Sequence, residues 1–241
     1  MSPSASLCLG YALLIPMPEP ILVADNLSRT YAMNGTAVPA LRGVSLSLAA
    51  GDFVSVMGPS GCGKSTLLQL CGGMDLPDGG SLVIEGRDVA QLSDQELTRL
   101  RRARVGFVFQ FFNLLPTLTV GENIALPLLL AKVPEAEAMK RASVMAEQVG
   151  IGHRLGHFPA QVSGGEAQRA AIARSVVHQP ALLIADEPTG SLDSENGVKV
   201  LEILKEMNRE LGVTILLATH DAAAAAVAKR TIRMKDGVVV G

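Results

Sequence analysis

The sequence predicts a doubly wound α/β fold: a buried parallel sheet wrapped by helices, with a helical insert at about 111–162. Three observations carry this expectation. Hydrophobic residues make up 48% of the 241, aromatics only 3%, and Trp is absent. A Val, Leu, Ile and Ala interior of that kind suits strands covered on both faces. The order strand, helix, strand recurs in both halves of the chain. Between them, from Phe111 to Val162, the texture changes to helical pieces broken by Pro116, Pro127, Pro134 and Pro159.

In chain order, residues 1 to 19 read as a loosely ordered extension, and Met17 would open an equally sensible chain. The run "LLIPM" is too short for a secretion signal and lacks a basic flank. "ILVADNLSRTY" and "GVSLSLAAGDFVSVMG" have strand periodicity, with a Gly-Asp turn inside the second. "KSTLLQLCGGM" has helical spacing and stops at a glycine pair. "GGSLVIEGRDV" reads as a short hairpin, and "SDQELTRLRRARV" as a helix opened by a capping box of Ser93 and Glu96. "VGFVFQ" is a strand. After the insert, "GEAQRAAIARSVVHQ" is helical, and "ALLIADEP" is a buried strand ending in acids. "SENGVKVLEILKEMNREL" is an amphipathic helix, "VTILLATHD" a buried strand, and "AAAAAVAKR" a helix. "TIRMKDGVVV" closes the chain as a strand pair around Asp-Gly.

The formal net charge of -2 argues against general capture of nucleic acid. Cys8, Cys62 and Cys71 have no metal-like spacing, and their odd number speaks against a disulfide framework. They read as free thiols of a reducing compartment. No apolar run approaches the ~20 residues that span a bilayer.

The chemistry is concentrated in "GPSGCGKSTL". Gly58 to Ser65 fits G-x-x-x-x-G-K-[ST], a loop whose missing side chains let backbone N–H groups face an anion. The following helix aims its positive end at the same spot. Lys64 then reaches β- and γ-phosphates, and Ser65 offers a hydroxyl to Mg²⁺. A structural glycine turn is the alternative, but this one lies between a strand and a helix. Asp186, ending an apolar strand, suits Mg²⁺ binding through water, and Glu187 beside it suits a general base. Ser163, Gly164 and Gly165 precede a long helix and form a second anion site at a helix N-terminus. Two complementary phosphate sites far apart in sequence invite head-to-tail pairing of two copies.

Together "GPSGCGKS", "VSGGE", "LLIADE", "SLD" and "ATHD" resemble, in their order, the nucleotide-binding subunit of ATP-binding cassette (ABC) transporters. The resemblance runs from about residue 20 to the end. It implies a P-loop NTPase fold: a RecA-like core with a parallel sheet, an antiparallel β subdomain and an α-helical subdomain at about 111–162, all within a cassette of 20–241. It implies ATP and Mg²⁺ as ligands. The phosphate loop would then be Gly58, Pro59, Ser60, Gly61, Cys62, Gly63, Lys64, Ser65 and Thr66. Tyr31 matches the aromatic that stacks on adenine, and Gln110 the glutamine that senses Mg²⁺ and the attacking water. His220 matches the residue holding the γ-phosphate, while Ser191 and Asp193 belong to the segment that crosses between subunits. Ser163, Gly164, Gly165 and Glu166 would meet the opposite subunit's nucleotide. Val162 stands for the usual leucine, Glu166 for a frequent glutamine, and Ala167 is small where polar residues are common. His153, His157 and His178 match no functional position.

"VGFVFQFFNLLPTLTVGENIALPL" and "ADEPTGSLDSENG" are similar to the lipoprotein-releasing (LolD), macrolide-exporting (MacB) and division-linked (FtsE) group. That implies a homodimer working with a separately encoded integral membrane permease at the cytoplasmic face of the inner membrane. Lipoprotein release or macrolide or peptide export is the expected work; a regulatory, division-type ATPase that signals without transport is the alternative. Chromosome and DNA-repair relatives insert a long coiled coil, whereas only about fifty residues separate Gln110 from Ser163. Translation-factor relatives carry two cassettes in one chain. The apolar cluster Phe111, Phe112, Leu114 and Leu115, just after Gln110, reads either as local core or, as the resemblance implies, as part of a groove that accepts a short cytoplasmic helix of the membrane partner.

Overall fold

In the computed structural model, which describes residues 20–33 and 35–240, two sheets share the chain. The expected extension, with Cys8 and Met17, lies outside the described residues. β1 (Pro20–Met33) and β2 (Thr36–Ala49) pair antiparallel along their lengths. Inward residues Val44, Leu46 and Leu48 alternate with exposed ones, as a half-solvated strand requires. β3 (Phe53–Met57) leads through the glycine loop into α1 (Lys64–Cys71). β4 (Gly79–Ile84) and β5 (Arg87–Asp88) form the expected hairpin and extend the first sheet to the order β2-β1-β4-β5.

α2 (Asp94–Arg104) begins at the Ser93–Glu96 capping box, with Ser93 N–H donating to Glu96 Oε2 at 2.9 Å. β6 (Val105–Val108) follows, then α3 (Val120–Leu130) and α4 (Glu135–Gln148) within the segment expected to be helical. Two of the prolines there act as expected at boundaries: Pro134 caps α4, and Pro159 opens a short 3-10 turn. Pro127 lies inside α3 and does not break it. The helix gives up one internal donor and continues, with Ala131 N–H bonding the Pro127 carbonyl at 3.1 Å.

α5 (Gly164–Val176), β7 (Leu182–Asp186), α6 (Ser194–Leu211) and β8 (Thr214–Thr219) match their expected ranges closely. α7 is shorter than the alanine run suggested, only Ala222–Ala225. Lys229 N–H bonds the Phe53 carbonyl at 2.9 Å, so the chain is captured for the sheet before the helix can extend. β9 (Arg230–Lys235) and β10 (Val238–Val239) close the second sheet, in the order β10-β9-β3-β8-β7-β6.

Pairing in this sheet is parallel from β9 through β3, β8 and β7 to β6. Its strands split their side chains between two cores with period two. Phe53, Leu183, Ala185, Ile215 and Leu217 face α3–α6, whereas Val54, Val56, Leu182, Ile184, Leu216 and Ala218 face α1, α2 and the antiparallel sheet. The carboxyl ends of β3, β8, β7 and β6 therefore lie side by side, the usual position for ligands in open α/β sheets.

Candidate active site

Each of those four strand ends delivers a residue singled out in the sequence. The loop after β3 carries Lys64 and Ser65, β7 ends at Asp186 and Glu187, β8 is followed by His220, and β6 by Gln110. All six line one cavity of about 560 Å³, together with Ser60, Gly61, Gly63 and Thr66.

The loop takes its shape from glycine. Gly61 and Gly63 have φ of 79° and 101°, in the left-handed region, and Gly63 is the residue from which α1 starts. A side chain at Gly58 would run into the Met234 carbonyl, and one at Gly63 into the Ala40 carbonyl. Cys62 differs from its neighbours: its side chain is buried in the core and its N–H is bonded to the Pro59 carbonyl at 3.3 Å. Lys64, 5% exposed, donates from Nζ to the carbonyls of Gly58 at 2.9 Å and Pro59 at 3.1 Å, with Glu187 Oε1 3.6 Å away.

Asp186 is the electrostatically unusual group. Burial pushes its carboxyl up, Ser65's hydroxyl bond and Lys64 pull the other way, and Glu187 adds to the rise. Its Oδ1 is buried without a hydrogen-bond partner among the described residues. An orphaned carboxylate oxygen beside a hydroxyl, at a phosphate loop, is the donor set a hard divalent cation uses, so Ser65 and Asp186 fit Mg²⁺. Glu187 has φ 46°, unusual for a residue with a side chain, and its N–H bonds the Ala218 carbonyl at 2.9 Å. Its Oε2 lies 3.1 Å from His220 Nδ1. Gln110 approaches the turn after Glu187 so closely that a Cβ on Gly190 would come within 3.0 Å of its Nε2.

Tyr31 is not among the residues around this cavity. Its hydroxyl donates to Asp75 at 3.0 Å, and the Arg29 guanidinium lies 4.9 Å from its ring centroid. Its antiparallel partner in β2 is Val38, which does line the cavity, so Tyr31 stands at the rim. Ser163, Gly164, Gly165 and Glu166 line no part of the cavity. They form the start of α5, where Ser163 N–H and hydroxyl both donate to Glu166 Oε2 at 2.8 Å. Arg154 Nε completes the clamp on Glu166 Oε1 at 2.7 Å. Asp193 caps α6, accepting from Asn196 N–H at 2.9 Å, and Ser191 donates to the Gln110 carbonyl at 3.2 Å.

The apolar cluster after Gln110 divides. Phe111 and Leu115 are exposed, Leu114 packs on the core, and the Phe112 ring lies against Gly164. Beside it is a recess of about 500 Å³ whose apolar lining includes Met74, Phe107, Phe109, Leu126 and Leu130, with Arg101, Arg102 and Arg174 around it. Sequence reasoning missed this recess, and it also missed Gln168, a buried glutamine of α5 that touches the backbone next to both Gln110 and Glu187.

Comparison with known proteins agrees with this geometry. Residues 41–190 match the ABC transporter family. The chain is 50% identical to the ABC transporter ATP-binding protein YvcR of Bacillus subtilis, over 90% of this chain and 85% of that one. It is 45% identical to the lipoprotein-releasing system ATP-binding protein LolD 2 of Caulobacter vibrioides, over 92% and 97%. It is equally similar, at 45% over 92% of this chain, to the macrolide export ATP-binding/permease protein MacB of Marinobacter nauticus, but spans only 34% of that protein. A dimeric ATP-binding cassette solved in a post-hydrolysis state with ADP and Pi superposes with a TM-score of 0.85 at 41% identity, over 91% of this chain and 97% of that one. The chain belongs to the ABC transporter family, as an ATP-binding cassette ATPase.

Proposed function

We propose that two copies of this chain close head to tail around two MgATP molecules and drive a separate membrane subunit from the cytoplasmic face of the inner membrane. The observation that carries the pairing is a separation: Lys64, Ser65, Gln110, Asp186, Glu187 and His220 share one cavity, and Ser163–Glu166 do not reach it. A second copy would present its Ser163 and the N–H groups heading its α5 to the γ-phosphate. The dimeric cassettes to which the chain is similar support this arrangement.

Within each site, Lys64 would exchange its loop carbonyls for β/γ-phosphate oxygens, a charge-assisted bond. Ser65, Asp186 and Gln110 would hold Mg²⁺. When bound, the ion neutralises charge between the β- and γ-phosphoryl groups. Glu187 takes the proton of the water that attacks the γ-phosphorus, the bond to the β-phosphate oxygen breaks, and ADP and phosphate result. His220, 3.1 Å from Glu187, would turn to the γ-phosphate. Tyr31, at the rim, would stack on adenine with the face that Arg29 leaves free.

The recess beside Gln110 would take a short helix of the membrane subunit, with Arg101, Arg102 and Arg174 favouring an acidic one. No helix among the described residues is long and apolar enough to cross a membrane itself. Likeness to LolD 2 and MacB supports lipoprotein release or macrolide or peptide export as the work driven. The decisive experiment is Glu187→Gln. ATP binding should persist while turnover slows by about 10²-fold or more, and the ATP-held pair should accumulate on size exclusion. Near-normal hydrolysis would show that another group activates the water.

A further inference from the structure

Gln168 is fully buried on α5, at 0% exposure, among alanines and aliphatic residues. Its Nε2 donates to the Pro188 carbonyl at 2.7 Å and to the Phe109 carbonyl at 3.3 Å. Phe109 immediately precedes Gln110, and Pro188 immediately follows Glu187. One amide nitrogen thus joins the two backbone segments that carry the cavity's glutamine and its candidate base. Its Oε1 is buried with no partner among the described residues. An unmet buried acceptor is costly, and methionine or leucine would fill the same volume without it, so it is the donor that this position requires.

The surroundings show why backbone bracing matters here. Glu187 has φ 46°, and Phe112 and Asn113 have φ of 29° and 50°. Conformations of this kind persist only where neighbours over-determine them. From the same helix, Arg174 grips the Phe112 carbonyl at 2.9 Å and the Asn113 carbonyl at 2.6 Å. The helix headed by Ser163 is therefore a brace for both loops, and among the described residues Gln168 is the only side chain on it whose bonds touch both.

We propose that Gln168 is a positioning residue for ATP hydrolysis, fixing Gln110 and Glu187 relative to each other and to the helix headed by Ser163. The proposal rests on the reading of Glu187 as general base. Loss of Gln168 would leave the phosphate loop whole while the base and the water-facing amide drift apart. Misplacement of that size costs turnover more than affinity.

The test uses the full chain. Gln168→Met keeps the volume and removes both donors. Its affinity for MgATP and its KM should stay within about twofold, its Tm within a few degrees, and its kcat should fall roughly tenfold to hundredfold. Gln168→His, with a ring N–H of similar reach, should recover part of kcat. Unchanged kcat in Gln168→Met overturns the proposal, and so does a fall in kcat matched by losses in affinity and Tm, which marks simple core damage. If Gln168→Met does not fold, Gln168→Leu, which also fills the site without a donor, decides by the same measurements. Glu187→Gln run in parallel separates the two ideas. Hydrolysis that survives it removes the general-base reading, whereas its collapse alongside an active Gln168→Met removes only this one.

Discussion

Lys64 holds its own loop together through the Gly58 and Pro59 carbonyls. Lys64→Ala should therefore remove a brace and a cation at once, weakening MgATP binding roughly tenfold to hundredfold in a nucleotide titration. Unchanged affinity would remove the phosphate-loop assignment. Asp186 gives an opposite trade. Its carboxyl is raised by burial, so the fold disfavours its ionised form at neutral pH. Asp186→Asn should raise the Tm of the nucleotide-free protein at pH 7 and sharply reduce the extra stabilisation by MgATP and the ATPase rate. Thermal melts with and without MgATP would check both signs. These residues were legible in the sequence because each ends or follows a strand inside a local pattern. Gln168 was not, because its partners are backbone carbonyls of Phe109 and Pro188, which leave no mark in a residue string.

At the scale of elements, α5 depends on a cap of unusual charge. Ser163's N–H, then Arg154's guanidinium, hold the Glu166 carboxyl down to about 2. A carboxyl lowered on folding stabilises the fold above its unfolded value and loses that contribution as pH falls toward its folded value. Between about pH 4.5 and about pH 2 the Tm of the native chain should fall more steeply than that of Glu166→Gln, measured in matched pH series. Parallel slopes would mean that the cap does not couple to folding. Strands and capped helices were read well from period and end signals, as at Ser93–Glu96. The failures were Pro127, which α3 tolerates by giving up one internal donor, and α7, cut short by the Lys229–Phe53 bond.

Across the whole molecule, the groove prediction moves with the structure. Met74→Glu with Leu130→Glu, both at exposed positions beside the recess, should leave basal ATPase largely intact and prevent assembly with the membrane subunit, read by co-purification. Normal assembly would locate the contact elsewhere. Pairing makes its own prediction: specific ATPase activity should rise with protein concentration, and mixing Lys64→Ala with Ser163→Ala chains should recover part of what each has lost. A rate independent of dilution would contradict the composite site. The distance between Lys64 and Ser163 in one chain also bears on inheritance. If every working unit is drawn at random from one pool of chains, a copy that lacks a working Glu187 leaves its pair with one intact site and one dead one. Where half of the pool carries Glu187→Gln, only about one pair in four is free of the defect, as two-fold association dictates. A lesion at this site would then be partly dominant in a cell holding both alleles, since about half of the pairs keep a single intact site.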